Sequence, residues 1–302
     1  MPCDPETSVR HCYSTWSETY YEDFYGPKAS YPPVHLDLLK RLLRDARAKS
    51  VLDAGCGPAS MLRHLVDEKL EVYGFDVTPE MVAEARRVLA PHGVPPERIW
   101  EGSVLSPEAF RPPGAKRGKR FDAAICIGVL PHITEELDTK VIRNLRDAVK
   151  KRGLVVVEGR NAFFALFTTN RYSYQFFRDV LIRADQLADR TGNEGPKVLA
   201  ALETLEKQFR MDLPPLRRGK ADQPGYDEVL SRTHNPLLLK AQFAAAGLTD
   251  VRVLFYHFHC LPPMFEHEMP ELFRRESLQM EDPEDWRGHF MASAFLVAGR
   301  RA

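Results

Sequence analysis

The sequence predicts an α/β fold, a doubly wound and mostly parallel sheet with helices on both faces. Three observations predict it. Short apolar runs of strand length alternate with longer stretches of helical spacing. The first of these runs ends in an acid followed by Gly-x-Gly, in "VLDAGCGPAS" at 51–60. The 302 residues, 44% hydrophobic and 28% charged, suit one large domain with insertions or two small ones. Strands with such continuous apolar runs are buried on both faces, as in parallel sheets.

The elements follow in order. "SVLDAG" (50–55) reads as the first strand, and "ASMLRHLVDEK" (59–69) has helical spacing. "EVYGFD" (71–76) is the second strand. "TPEMVAEARRVLA" (78–90) is a helix with Thr78 as N-cap, Pro79 in the first position and Glu80 in the first turn. "RIWEGS" (98–103) and "FDAAICIGV" (121–129) are strands three and four. "DTKVIRNLRDAVKKRG" (138–153) reads as an amphipathic helix stopped by Gly153, and "LVVVEG" (154–159) as strand five. Residues 160–233 are aromatic and helical without a convincing strand. "HNPLLLKAQFAAAGL" then starts a helix capped by Asn235 and ended by Gly247. "VRVLFYHFH" (251–259) and "FMASAFLVAG" (290–299) are the last two strands, with a Pro- and Glu-rich loop and a short helix between them. "RPPGAKRGKR" (111–120) reads as a solvated basic loop. The implied organisation is a helical lid at 1–35, a binding core at 36–159, a helical insertion at 160–233 expected to make most of the pocket for a second substrate, and the rest of the sheet at 234–302.

Bulk numbers exclude several classes. Lys plus Arg equals Asp plus Glu at 42 each, so no global field draws the chain to nucleic acid or to a membrane surface. The five cysteines are scattered, without CxxC spacing, which fits a reduced, cytoplasmic setting. The opening residues lack the apolar core of a signal peptide, and no run approaches eighteen apolar residues, so no membrane span is expected.

The glycine loop narrows the ligand. Gly55 and Gly57 allow a tight turn and close approach of the backbone, before a helix N-terminus with free N–H groups. A dinucleotide site would carry a third glycine where this chain has Ser60. Asp53, two residues before Gly55, would repel a pyrophosphate and suits an ammonium group. Asp76 ends strand two, placed to accept from ribose hydroxyls. A ligand with a ribose, an amine and no phosphates is S-adenosylmethionine. A plain strand-to-helix turn at the glycines, and simple helix capping by either acid, are the bland alternatives.

"VLDAGCGP", "VYGFD", "FDAAICIGVLPHI" and "KRGLVVVEG", in that order, resemble the motif series of class I S-adenosylmethionine-dependent methyltransferases. The resemblance covers roughly residues 48–160 by motif. It implies a Rossmann-like seven-stranded sheet of order 3-2-1-4-5-7-6 with the last strand antiparallel. The flanks "RNAFFALFTTNRYSYQFF" and "HFHCLPPMFE" are similar, more loosely, to methyltransferases of surface-carbohydrate and secondary-metabolite pathways. The implied cofactor is S-adenosyl-L-methionine, leaving S-adenosyl-L-homocysteine. The implied cofactor residues are Asp53, Ala54, Gly55, Gly57, Asp76, Val77, Ser103, Val104 and Ile127. Asp53 would hold the methionine amino end, Asp76 the ribose, and Val77 would lie under the adenine. Ser103 stands where many relatives have an Asp for the adenine, and Ala59 where they have a third glycine. The strand-four end, Ile127-Gly128-Val129-Leu130, is not the Asn-Pro-Pro-Tyr of enzymes that methylate nucleobase or glutamine nitrogens.

Ligands of open α/β sheets sit at the carboxyl ends of the parallel strands. Those ends carry His132, Glu158, Arg160, Asn161, His257 and His259, and a reversed last strand would add Trp286, Arg287 and His289. His132, His259 and Glu158 are the candidate catalytic groups. His132 is open between acting as a base and orienting its loop. Arg160, Asn161, His257, Arg287 and His289, with Tyr21, Arg171 and Tyr172 from the lid segments, are candidates for the acceptor. The arginines point to a polar, possibly anionic small molecule or saccharide. His257 and His259 share a face, so packing, acceptor binding, or metal ligation with Cys260 and His267 are all open. No compact partner set completes the ligand spacing, so no metal is expected. The expected function is methyl transfer to a hydroxyl. N-methylation of a similar acceptor and a catalytically silent donor-binding module are the alternatives, and Asp53 argues against a nicotinamide dehydrogenase.

Overall fold

The computed structural model describes residues 4–26, 31–115, 118–216 and 225–302. Cys3 and part of the basic loop, residues 116–117, lie outside the described residues. Seven strands form one sheet: β1 Ser50–Ala54, β2 Glu71–Asp76, β3 Ile99–Glu101, β4 Phe121–Cys126, β5 Val149–Arg160, β6 Leu248–Phe258 and β7 Ala292–Arg301. Their order is 3-2-1-4-5-7-6. Strands β1 to β5 pair in parallel, while β7 runs antiparallel to β5, with Val156 opposite Ala298. The sheet order and the reversed strand are as expected.

Burial explains why these runs are strands. All five residues of β1 are buried, as are Leu154–Val157 of β5 and Phe295–Ala298 of β7. Branched and aromatic side chains fit such doubly covered strands. The helices Pro79–Leu89 and Asp138–Ala148 turn Met81, Val82, Ala85 and Leu89, and Val141, Ile142 and Leu145, inward at helical spacing.

Four expectations are corrected. The helix expected over 59–69 is a single turn at Leu62–Leu65 followed by a 3-10 turn, because Ala59 and Lys69 both take positive φ and break the helix at each side. Residues 149–153 belong to β5 rather than to the preceding helix. Val149 is buried opposite Phe121, and a register shift, with Arg152 at φ 62°, lets the strand continue. Thr78 starts its helix without a side-chain cap: its hydroxyl accepts from no N–H of the first turn, while its own N–H donates to Asp76 Oδ1 at 2.9 Å. Between β6 and β7 the helix is ten residues long, Pro270–Gln279.

The chain divides into two compact units. The first holds Met1–Arg160, Leu216–Leu254 and Ala294–Ala302. The second holds Asn161–Pro215 and Phe255–Ser293 and is mainly helical, with helices Ala184–Thr191 and Gly195–Glu206 the longest of its first part. No strand lies in 161–215 beyond bridge residues at Asn161 and at Asn170 and Arg210, the last two paired with each other. Among the described residues no helix is long and apolar enough to cross a membrane.

One carboxylate fastens the amino-terminal edge of the sheet. Asp122 Oδ2 accepts from the N–H groups of Lys49 and Ser50 and from Ser50 Oγ at 3.0–3.1 Å, and Oδ1 accepts from Lys150 Nζ at 2.7 Å. It thereby ties the starts of β1, β4 and β5 together. Partial burial pushes this carboxyl up, but the Lys150, Ser50 and Lys49 donors outweigh it and hold it below the usual Asp range. We expect Asp122→Ala to lower the unfolding free energy by about 1–3 kcal/mol in denaturant melts at neutral pH. The wild-type advantage is present above the unfolded-state value of about 3.9 and fades as pH falls through the lower folded value. A difference that stays constant down to pH 2 would count against this role.

Candidate active site

A cavity of about 280 Å³ opens at the carboxyl ends of β1, β2, β3 and β4, and every residue lining it belongs to the first unit. The loop after β1 makes its floor. The N–H groups of Gly55 and Cys56 both donate to Phe75 O, at 2.8 and 3.0 Å, which folds the loop back over β2. Gly55 has φ 85° and Gly57 φ 51°, and a Cβ on Gly55 would collide with Val129. Any side chain at 55 would therefore strain the turn and close the cavity.

Two carboxylates face this space from neighbouring strand ends. Asp76 Oδ2 accepts from Gly57 N–H and Oδ1 from Thr78 N–H, both at 2.9 Å. Burial pushes its carboxyl up despite those two donors. Asp53 is 2% exposed, and its Oδ1 has no hydrogen-bond partner. Burial, with the Asp76 charge added, pushes Asp53 up to about 8. Ser60 Oγ and Thr78 Oγ1 are likewise buried without partners, and both residues line the same cavity. Buried polar atoms are nearly always satisfied, so three orphans around one cavity mark a ligand with donors, and an orphan carboxylate marks a cationic one.

Of the expected cofactor residues, Asp53, Gly55, Gly57, Asp76, Val77, Ser103, Val104 and Ile127 line the cavity. Ala54 is fully buried in β1 and is not among the lining residues. Ser60, Thr78 and Met81 line it without having been expected. For Ser60 a signal was present, because it holds the third place of the Gly-x-Gly pattern.

The amino-terminal segment supplies the opposite wall through Pro5, Val9, Tyr13, Tyr20 and Tyr25. Tyr21, the expected contact, bonds instead to His64 Nε2 at 2.9 Å, with the Arg63 guanidinium 3.6 Å over its ring. In the helix Tyr20–Phe24 adjacent residues point to different faces, so Tyr20 and Tyr21 part company. His132 also lines the cavity, and its Nε2 is 2.9 Å from Tyr13 Oη. Its Nδ1 is 2.7 Å from Leu230 O. A carbonyl only accepts, so Nδ1 carries the proton, Nε2 accepts, and Tyr13 donates. Burial, with the Arg160 charge behind, pushes His132 down to about 4 and keeps it neutral.

Glu158 and Arg160 end β5 in the same unit. A Cβ on Gly128 would lie 3.8 Å from Glu158 Oε2, so the carboxylate borders the loop after β4. The Arg160 guanidinium donates to Ser231 Oγ and Tyr226 Oη, and lies 5.6 Å over the Tyr226 ring.

The remaining candidates sit in the second unit, and none lines the cavity. Asn161 is buried and spends its amide on the carbonyls of Gly288, His289 and Ala292 and on the Phe163 N–H. His259 is packed between Phe164 and Phe273 and stacked on His257 at 5.1 Å. Both its ring nitrogens lack partners, and burial pushes it down to about 4. His289 lies against Phe255 and Phe163. Arg287 donates twice to Asp285, at 2.8 and 2.6 Å, and Arg171 pairs with the exposed Tyr172. Among the described residues no group of three or more His, Cys, Asp or Glu is placed to hold a metal.

Comparison with known proteins agrees with this architecture. Residues 52–155 match a family model described as a methyltransferase domain. An uncharacterized methyltransferase of Schizosaccharomyces pombe is 30% identical over 96 residues, which cover 30% of this chain and 36% of that protein. A ubiquinone biosynthesis O-methyltransferase of Actinobacillus pleuropneumoniae is 23% identical over 138 residues, 44% of this chain and 57% of that one. The chain thus spans between about a third and three fifths of these two relatives. The crystal structure of magnesium protoporphyrin IX methyltransferase from Synechocystis with bound S-adenosylhomocysteine superposes with a TM-score of 0.52 at 14% identity. The match covers 99% of this chain and 100% of that one, and it shows a shared fold. Residues 52–155 are thus similar to a methyltransferase domain, set in a seven-stranded Rossmann-like sheet of order 3-2-1-4-5-7-6.

Proposed function

We propose that the chain is an S-adenosylmethionine-dependent methyltransferase that methylates a hydroxyl of a small polar acceptor, such as a saccharide or secondary metabolite. The observation that carries the reading is the unpartnered Asp53 carboxylate beside Asp76 at the glycine loop, in a cavity whose far wall holds the Tyr13–His132 pair. The residues fit the donor. Asp53 takes its ammonium group, and Gly55 and Gly57 let that end lie against the backbone. Asp76 has lone pairs left for the ribose hydroxyls after holding the Gly57 and Thr78 N–H groups. Val77, Ser103 and Val104 border the adenine end, and Ser60 and Thr78 add two hydroxyls that need partners.

When bound there, S-adenosylmethionine supplies a methyl group already activated on a sulfonium. The protein must align the acceptor and remove one proton. Alignment is worth roughly 7–11 kcal/mol in favourable cases, and a general base about 10²- to 10⁴-fold. Tyr13 meets the acceptor hydroxyl and passes its own proton to His132 Nε2 as it takes the acceptor's. The methyl transfer discharges the sulfonium, so gaining a proton at His132 leaves the net charge of the site unchanged. That compensates for the weak basicity that burial imposes on the imidazole. Arg287 is neutralised by Asp285, and Arg160, outside the cavity lining, is engaged by Ser231 and Tyr226, so the case for an anionic acceptor is weakened. One matched relative is named an O-methyltransferase, which favours oxygen over nitrogen.

Three outcomes are expected. Asp53 near 8 is protonated in the empty site at neutral pH, and the donor ammonium requires the carboxylate. Donor binding therefore releases close to one proton at pH 7, and Kd weakens about tenfold per unit as pH falls from 8 toward 6. Calorimetry in phosphate and Tris checks this, and Asp53→Asn should abolish the proton release while weakening binding. A buffer-independent heat would remove Asp53 from the ammonium site.

Tyr13→Phe and His132→Ala should each lower kcat by about 10²- to 10⁴-fold while leaving donor Kd within about twofold. At saturating donor, kcat should stay flat from pH 6 to 8, because His132 titrates only near 4.

The acceptor itself is found by incubating the protein with methyl-radiolabelled donor and a fractionated extract. Label in small-molecule or saccharide fractions supports the reading. Label in protein or RNA overturns the acceptor class, and no label in any fraction despite tight donor binding favours a silent module.

A further inference from the structure

We propose that residues 226–234 form a strap that fixes the tautomer and position of His132, with Arg232 as its anchor. Leu230 contributes the carbonyl that receives the His132 Nδ1 proton at 2.7 Å. Two residues on, Arg232 brackets the histidine. Its backbone N–H donates to Pro131 O at 3.0 Å and its Nε to Ile133 O, the carbonyls on either side of His132. The same guanidinium donates to Asp138, a 2% exposed carboxylate that opens the helix Asp138–Ala148. Arg232 thus locks the histidine loop to the helix that follows it.

The strap grips the end of β5 in alternation with the loop. Tyr226 and Ser231 accept from the Arg160 guanidinium, and the His234 N–H donates to Arg160 O at 2.6 Å. His234 Nε2 lies 3.9 Å from Asp138 Oδ2, so the strap's end also closes on the anchor carboxylate. All these groups belong to the first unit, and neither Leu230 nor Arg232 lines the cavity. Arg232 is therefore a positioning residue. The planar guanidinium holds the Ile133 carbonyl and the Asp138 carboxylate at fixed angles, which a lysine ammonium does not reproduce, while the Pro131 carbonyl is held by the main chain. Without the bracket, Leu230 O is free to leave Nδ1. The imidazole then gains the Nε2–H tautomer, which cannot accept from Tyr13.

The inference rests on the reading of His132 as proton acceptor, but its decisive test needs no acceptor. In ¹⁵N-labelled protein, long-range proton–nitrogen correlation reports which ring nitrogen of His132 is protonated, with His132→Gln assigning the signals. Wild type should show Nδ1–H only. Arg232→Ala should show a mixture of tautomers, with Arg232→Lys and Asp138→Asn in between. Should Arg232→Ala fail to fold, as judged by its thermal melt, Arg232→Lys and Asp138→Asn decide.

The kinetic counterpart is a fall in kcat of at least about tenfold for Arg232→Ala, with donor Kd within about twofold, and no further fall when it is added to His132→Ala. An unchanged His132 tautomer in the folded variants overturns the strap, as does an equal loss in the His132→Ala background. A shifted tautomer in a protein that transfers no methyl group leaves the strap standing and removes the enzymatic reading instead.

Discussion

Two neighbouring carboxylates, Asp53 buried and Asp76 half-buried, set the terms for the rest of the site. In β1 and β2 Asp53 pairs in register with Gly74, which places Asp76 just beyond it at the neighbouring strand end. Burying one carboxylate away from water is costly, and a second nearby raises the cost. The fold answers differently at each. It gives Asp76 two backbone donors from the Gly57 turn and the start of the next helix, and it leaves Asp53 to hold a proton near neutrality. The glycine loop, the positive φ angles and the uncapped Thr78 all follow from arranging backbone N–H groups around Asp76 while keeping room beside Asp53. A ligand carrying a cation and hydroxyls resolves both acids at once.

Much of this was legible in the sequence because strand-end acids and glycines act locally. The strand at 50–54, the turn at 55–57 and the acid at 76 each depend on residues within a few positions, so pattern alone places them. What was not legible depends on distant partners. Residues 149–153 read as helix because Lys150, Lys151 and Arg152 continue a helical charge pattern. The outcome was decided by pairing with β4, where Asp122 receives Lys150 across the sheet. Thr78 has the residue type of a helix cap, but its hydroxyl accepts from no first-turn N–H, an outcome set by the side-chain rotamer rather than by residue type.

The acceptor side was harder to read for the same reason. Tyr13, Tyr20, Tyr21 and Tyr25 are chemically alike, and only the packing of short helices decides which face the cavity. Three hydrogen-bonded tyrosine–histidine pairs fasten that segment: Tyr13 to His132, Tyr21 to His64 and Tyr25 to His35, at 2.9, 2.9 and 3.4 Å. Each histidine comes from a different element or loop, separated from its tyrosine by between 10 and 119 positions. The strap at 226–234 is still less visible. Its contact with His132 is a main-chain carbonyl, and its arginine reaches the flanking residues mostly through their backbone oxygens, groups that every sequence contains.

The position of Asp122 has a wider consequence. It fastens the sheet at the amino-terminal edge, while every group assigned to the donor stands at the carboxyl-terminal edge. Cohesion and chemistry are thus kept at opposite poles of the same strands. Variation at the chemical pole leaves the fastening intact, so the acceptor wall can drift toward new molecules while the scaffold persists. Such a chain is free to diversify in the molecules it takes long before it is at risk of ceasing to fold.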